Sequence, residues 1–515
     1  MNTRSGPGAF VSILAADGVA VDAPSAPACF ADLYLDQVID NLTFGQPDEA
    51  LATLFYAPQH DPAVITYRHD VFRDLQRADV RAAIDRFVAG MRIMRERLNR
   101  STTLWHPLQQ QGWFIYAVQA YCEAVQILHD ELAPLSVHSR GLCDFSAFLA
   151  DYIADPAFET LVSQTRDVQA RLHDVRYTVH IDGLRVHVDK YAGQDDYSAQ
   201  VTAVFERFVT QEATDYRVAL PDFPDMNHVE EQILECVAKL YPELFAELAN
   251  FCARYADFAA PTIVRFDREI PFYLCYLVFM QRFTAANLAF SYPDVTDSPG
   301  IFDVTGAFDL ALAPKLLDDA KTPVCNDFRL GGSERIFVIT GPNQGGKTTS
   351  ARTIGQCLYL AALGCPVPAA SARISVPDQI YTHFERQETL VTLHGKLDDE
   401  LVRIHEILSR ATPRSAVVMN ESFASTTASD ALVIGAEVLT RITDLGCIAV
   451  YVTFLDELSR LNPACVSMVG EIDRNDPTQR TFRFTHRPAD GLAYAAALAR
   501  KYGLSHDVLL RRITE

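Results

Sequence analysis

An apolar run from Ile336 to Ile339 leads, through Thr340, into the eight residues Gly341, Pro342, Asn343, Gln344, Gly345, Gly346, Lys347 and Thr348. This GxxxxGKT pattern after a strand-like run constrains the chain more than any other feature, because it asks for one local architecture: strand, tight loop, helix. The glycines let backbone N–H groups turn inward toward an anion. Lys347 can reach the β- and γ-phosphates of a nucleotide, and the Thr348 hydroxyl can sit on Mg²⁺. Gly341 through Thr349 are the candidate nucleotide-binding residues. A helix is expected from Thr348 to Leu363, with Gly364 as its stop, and its N-terminal dipole end would add to the phosphate site.

A second part of such a site follows at the right remove. Ser415 to Met419 is an apolar, β-branched run that ends in Asn420 and Glu421. An acidic residue at the tip of a buried strand can orient Mg²⁺ or polarise an attacking water. Glu421 is the candidate catalytic carboxylate beside Lys347, and Thr348, Asn420 and Glu421 are the candidate metal-site residues. A helix starting near Ala428 and ending before Gly446 leads to a third apolar run, Cys447 to Val452. The order strand, helix, strand, helix, strand predicts a parallel nucleotide-binding sheet, an α/β P-loop fold.

The N-terminal 300 residues read differently. Apolar positions recur there at helical spacing, as in Trp113 to Ala133 and Val229 to Tyr255. One interruption, Tyr177 to Val188 around Asp182–Gly183, is a β-hairpin signal. His180 and His187 lie on its strands with no further ligand at metal spacing, which favours surface residues. The expected division is a mainly helical region, 1–300, with a hairpin near 177–190, followed by a nucleotide-binding domain, 301–515.

Composition bounds the partners. Across 515 residues the formal net charge is −21, so any nucleic-acid surface has to be a local basic stripe on an acidic protein. Arg81, Arg86, Arg92, Arg95, Arg97 and Arg100 flank an apolar helical face; as a stripe they could meet DNA, but a solvated polar face is the commoner meaning of such a pattern. Eleven scattered cysteines with no CxxC pair read as buried thiols of a reducing, cytoplasmic compartment. The longest apolar stretch, Ile270 to Met280, is too short to span a bilayer, and the first thirty residues lack the apolar core of a secretory signal.

Several blocks in register resemble one family. Ile339 to Thr348, Leu363 to Ala369 with Ser371 to Ile374, Ala411 to Ser415 leading into Val418 to Glu421, and Thr426 to Asp430 are similar to the ATPase domain of the MutS mismatch-repair proteins. The resemblance runs from about residue 326 to 461 and extends more weakly over 494–510; upstream, Arg68 to Leu75 and the helix-hairpin-helix course are similar to the core, lever and clamp region only as pattern. It implies an ABC-type ATPase that uses ATP and Mg²⁺. It also implies a homodimer in which each nucleotide lies between the loop of one subunit and a signature segment of the other. ATP-driven closure would then move helical levers that carry a clamp around double-stranded or branched DNA.

The departures from the family pattern are specific. Asn420 stands where the family has an aspartate, Gly395 (within His394 to Glu400) where it has a signature serine, and Phe454 where it has a switch histidine. Lys396, beside Gly395, is a candidate substitute donor. Together they predict slow hydrolysis or an altered cycle with nucleotide binding retained. The stretch before the ATPase leaves little room for a mismatch-reading wedge domain, so mismatch-independent action in repair or recombination is expected. The alternative is a nucleotide-gated switch that assembles with a protein partner and does not bind DNA. A small-molecule kinase fits poorly, since no segment resembles a lid or acceptor site.

Overall fold

The computed structural model describes residues 10–16, 22–45, 49–183, 185–194, 226–385, 395–473 and 480–489. His394 and the 494–510 segment therefore lie outside the described residues. The chain packs as two compact units: residues 1–77, 137–144 and 268–515 form one, and residues 78–136 and 145–267 the other. The first unit thus takes in residues on both sides of position 300.

The second unit is built on two long helices, Ala78–Thr103 and Pro107–Leu132. They approach so closely that a Cβ on Gly90 would lie 2.7 Å from that of Ala124. Val80, Ile84, Phe87, Met91 and Met94 are buried at helical spacing. The arginine stripe falls on the remaining faces and is engaged locally. Arg81 bonds Asp85, Arg86 bonds Glu131, Arg92 lies near Glu96, and Arg95 pairs with Asp267. Arg97 and Arg100 lie over the rings of Tyr116 and Trp113. The expected helix from Val229 to Tyr255 is two helices, His228–Leu240 and Pro242–Arg254, because Pro242 has no N–H to continue the first and instead opens the second. The hairpin forms as β1 (Tyr177–Asp182) and β2 (Arg185–Lys190), antiparallel with His180 opposite His187. Asp182 pairs with Arg185, so β1 runs one residue further than the Asp–Gly signal suggests and β2 begins one residue later.

Among the described residues the first unit holds ten strands: β3 (Asp294–Thr296), β4 (Phe302–Ala307), β5 (Asn326–Leu330), β6 (Ile336–Thr340), β7 (Ser371–Ser375), β8 (Ile380–Phe384), β9 (Ala416–Asn420), β10 (Ile448–Val452), β11 (Cys465–Ile472) and β12 (Arg480–His486). Six make one sheet in the order β12-β11-β6-β10-β9-β8, parallel except for the antiparallel edge β12. Every residue of β6, β9 and β10 is buried, as strands covered on both faces must be. One face packs against the helices Lys396–Arg410 and Ala428–Leu445 through Val338, Met419, Tyr451, Ile404, Leu439 and Ile442. The remaining four strands form a second sheet, β3-β7-β4-β5, whose Phe302 and Phe328 meet Phe337 of β6 edge to face. Residue 300 lies between two strands of this second sheet.

The helix after the glycine loop, Lys347–Ala362, is buried on nearly all sides. Its outer face is covered by N-terminal residues of the same unit. Gln356 Nε2 donates to Leu33 O (2.9 Å), Tyr359 Oη donates to Phe55 O (2.8 Å), and Phe30 packs edge-on against Tyr359. Its end is fixed by Arg68, fully buried, which donates to Leu363 O at 2.7 Å and to Leu14 O at 2.9 Å. Gly364, at φ +70°, closes the helix as expected. No helix among the described residues is long and apolar enough to cross a membrane.

His69, beside Arg68, is 3% exposed against the Tyr292 ring, and burial, reinforced by the nearby Arg73 charge, lowers its pKa from 6.5 to about 4. The unfolded chain thus binds a proton at His69 that the folded chain refuses, so stability rises with pH across that window. The His69 contribution is complete above pH 6.5 and is lost progressively as pH falls toward 4; its full size is about 3 kcal/mol. Urea unfolding of the wild type and His69→Phe at pH 7 and pH 4.5 should show a smaller acid loss in the variant. Equal acid losses would remove His69 as the cause.

Candidate functional site

The parallel register brings distant residues to one edge of the sheet. Ile339 pairs with Val452, and Val452 pairs with Asn420, so β6, β9 and β10 end side by side. Three chain segments leave the sheet there: the glycine loop after β6, Asn420–Phe423 at the end of β9, and Thr453–Leu455 after β10. Such an edge, outside the carboxyl ends of parallel strands, is where α/β sheets bind ligands.

Two glycines of the loop are required by its geometry. Gly341 has φ +132°, and a Cβ there would lie 3.0 Å from the backbone nitrogen of Gly470 on β11. At Gly345 a Cβ would lie 2.8 Å from the carbonyl oxygen of Pro342, inside the curl of the loop. Gln344 and Gly346 also take left-handed φ angles of 59° and 91°, and Gly346 is the N-cap of the helix. The result is a tight concave turn that ends on a helix N-terminus, the shape expected of a phosphate cradle.

Lys347 lies inside that turn. Only 5% exposed, it donates to Gly341 O (3.1 Å), Pro342 O (3.4 Å) and Asn343 Oδ1 (3.3 Å), and its ammonium lies 4.1 Å from the centre of the Phe454 ring. Burial lowers its pKa; the Glu421 carboxylate opposes that shift and Arg480 adds to it. Thr348 Oγ1 donates to Asn420 Oδ1 at 3.0 Å. These two oxygens, with Glu421 on the next residue, form a donor set of the hard-oxygen kind that Mg²⁺ takes. Among the described residues no group of three His, Cys, Asp or Glu side chains could by itself hold a metal ion.

Glu421 follows directly on β9 in a left-handed conformation, φ 52°, with its N–H bonded to Val452 O at 3.0 Å. Phe423, two residues on, is left-handed as well (φ 65°) and donates its N–H to the carboxylate of Glu400 at 2.8 Å. Burial raises the pKa of Glu400. This strained, doubly anchored turn faces Glu421 toward the loop rather than away along the strand.

A cleft of about 790 Å³ opens beside the loop, lined by Asn343, Gln344, Gly346, Lys347, Thr348, Thr349, Glu421 and Phe454 on its polar side. The rest of its lining is mainly apolar, Leu312, Leu316, Pro323, Val324 and Phe482, with Lys321, Thr322 and Asn326 among them. Gly341, Pro342, Gly345 and Asn420 stand behind the lining, as backbone and support. The apolar wall was not read from the sequence. Its residues come from a short helix, Ala313–Asp318, a loop, and the edge strand β12, and carry no periodic signal. Asp309 anchors that wall, capping Ala311 and Leu312 N–H groups at 2.9 Å and pairing with Arg352 of the loop helix at 2.9 Å.

The remaining departure, Gly395, is exposed at the N-cap of the helix Lys396–Arg410, with open space where a side chain would be. Lys396 bonds Glu385 at 2.5 Å.

Known proteins are similar to this chain over the region that carries the loop. Residues 337–509 match the family model MutS domain V. A probable DNA mismatch repair protein Msh6 of Drosophila melanogaster is 30% identical over 208 residues, 38% of this chain and 17% of that protein. The DNA mismatch repair proteins MutS of Lactobacillus gasseri and Rickettsia massiliae are each 27% identical, over 302 and 361 residues, which is 56% and 66% of this chain and 34% and 40% of theirs. The matches thus cover well under half of each of these relatives' own length. The glycine loop and the strand-end carboxylate both lie within the matched region, so this part of the chain is MutS-related.

Proposed function

We propose that the protein binds ATP with Mg²⁺ at the glycine loop and hydrolyses it slowly, and that ATP-driven closure of a homodimer controls a clamp on DNA without reading mismatches. The observation that carries this reading is the buried Lys347 ammonium inside a loop too tight for side chains, at the mouth of a cleft with one polar and one apolar wall. A nucleotide has matching parts. Its phosphates would take N–H donors from Gly345, Gly346, Lys347 and Thr348, and its base would lie against Leu312, Leu316, Val324 and Phe482.

Each residue then has a task. Lys347 exchanges neutral loop oxygens for phosphate oxygens, and the cost of its buried charge falls. Thr348 and Asn420 would hold the metal ion through their oxygens, and Mg²⁺ there would supply neutralising charge at the phosphates. Glu421, held toward the cleft by its anchored turn, would position and deprotonate the attacking water. Asn420 brings no negative charge, so metal binding is weaker than two carboxylates would give. Closure of the dimer requires that ATP bind the closed state better than the open one, and the ATPase domain, of the ABC type, would transmit it through the helical region as core, levers and clamp.

A second reading, a nucleotide-gated protein-assembly switch without DNA binding, is favoured by one observation: the net charge is −21 and the arginine stripe is engaged by local partners. Turnover and nucleotide affinity measured with and without duplex and branched DNA over a salt series separate the two. DNA should change one of them most at low salt, where phosphate contacts are strongest; no change there selects the assembly switch.

At the site itself, Lys347→Ala should abolish ATP binding by calorimetry, whereas Glu421→Ala should bind ATP and lose turnover. Turnover equal to wild type in Glu421→Ala would end its role. Asn420→Asp places a carboxylate beside Thr348 and should lower the Mg²⁺ concentration for half-maximal turnover, on the order of tenfold; an unchanged Mg²⁺ requirement would exclude Asn420 from the metal site.

A further inference from the structure

Phe454 is half exposed, yet its ring is committed: it caps the one side of the Lys347 ammonium that the loop leaves uncovered. An ammonium has three N–H donors. In Lys347 they face Gly341 O, Pro342 O and Asn343 Oδ1, and the ring face stands 4.1 Å from Nζ. The ring is held there by its backbone. Thr453 N–H donates to Ile339 O of β6 at 3.1 Å, and Leu455 N–H donates to Thr453 Oγ1 at 3.1 Å, so residues on both sides of Phe454 are fixed. A phosphate oxygen that bonds Lys347 therefore has to displace a loop carbonyl or the aromatic face, and the aromatic face cannot itself bond the phosphate.

The cleft gives this competition a direction. Its apolar wall, Leu312, Leu316, Pro323, Val324 and Phe482, is at the end formed by the segment before β5 and by β12. Phe454 follows β10 and Glu421 follows β9, neighbouring strands paired at Val452 and Asn420 and separated from β12 by β6 and β11, so both stand on the side of the loop away from the β12 edge. A nucleotide with its base on the apolar wall points its terminal phosphate toward Glu421 and Phe454. We propose that Phe454 is a specificity-determining residue: its ring competes with the third phosphate for Lys347, so the site discriminates against a nucleoside triphosphate relative to the diphosphate. The inference rests on the nucleotide-binding reading above and goes beyond it, in assigning Phe454 a selective role.

The test is calorimetric titration of the full chain with ADP and with the non-hydrolysable triphosphate AMP-PNP, both with Mg²⁺, for wild type, Phe454→Leu and Phe454→Tyr. Phe454→Leu keeps an apolar side chain and removes the π face; it should tighten AMP-PNP by about fivefold, the worth of one partly exposed cation–π contact, and move ADP less than twofold. Phe454→Tyr keeps the face and should keep the wild-type ratio of the two affinities. Unchanged ADP affinity in Phe454→Leu also reports that the variant is folded. An equal shift for both nucleotides, no shift, or weaker AMP-PNP binding in Phe454→Leu would overturn the selective role and leave nucleotide binding standing. Wild type that binds neither nucleotide would overturn the underlying reading as well.

Discussion

The site is organised around a cation buried among neutral partners. Lys347 contacts two carbonyl oxygens, one amide oxygen and one aromatic face, an arrangement that satisfies its donors and leaves its charge uncompensated at contact distance. Burying an ammonium this way is costly, and the lowered pKa is the sign of that cost. The cost is offset by the surrounding fold: a loop with three left-handed positions, Gly341, Gln344 and Gly346, with Gly341 against the backbone of β11, and a helix buried on nearly all sides. The sheet, the covering N-terminal residues and the Asp309–Arg352 pair support the loop and helix that enclose this charge.

The parallel sheet makes the site possible from residues far apart in sequence. Because Ile339, Val452 and Asn420 are in register, the residues after each strand emerge together, and Lys347, Phe454 and Glu421 meet although more than a hundred positions separate the first from Phe454. An antiparallel neighbour would have sent one of these segments to the opposite edge. The antiparallel strand that is present, β12, sits at the sheet's edge and contributes Phe482 to the apolar wall instead.

Much of this was legible in the chain because the signals were local. The apolar runs before Gly341 and Asn420, the caps at Gly364 and Gly446, and the helix from Ala428 each need only a few neighbouring residues to declare themselves, and they form within one or two positions of where composition puts them. What local pattern could not supply was long-range. Leu312, Val324 and Phe482 are unremarkable alone and become a wall only when β5 and β12 are brought together, with Asn326 donating to Phe482 O at 3.0 Å and accepting from Phe484 N–H at 2.8 Å. The arginines of 81–100 look like a basic stripe until Glu131 and Asp267, distant in sequence, come beside them. Phe454 reads from sequence as the loss of a polar group; only the fold shows that its ring occupies the face of Lys347.

These contacts divide the proposed activity between two separately supported pieces. Anion binding depends on the loop and on Lys347, whose geometry is set by backbone contacts to β11 and by the enclosed helix. Turnover, in the proposed activity, would depend on Glu421, whose direction is set by the turn pinned through Val452 O and the buried Glu400 carboxylate. The two pieces meet at one hydrogen bond, Thr348 to Asn420, between neutral groups. A neutral contact there transmits position without strong electrostatic coupling, so in the proposed activity Asn420 and Phe454 would weigh on the metal and the third phosphate while the cradle itself stays whole. A protein that uses nucleotide chiefly to hold a conformation, and hydrolysis only to end it, gains from that separation: occupancy is governed by the loop, and the lifetime of the occupied state by the turn.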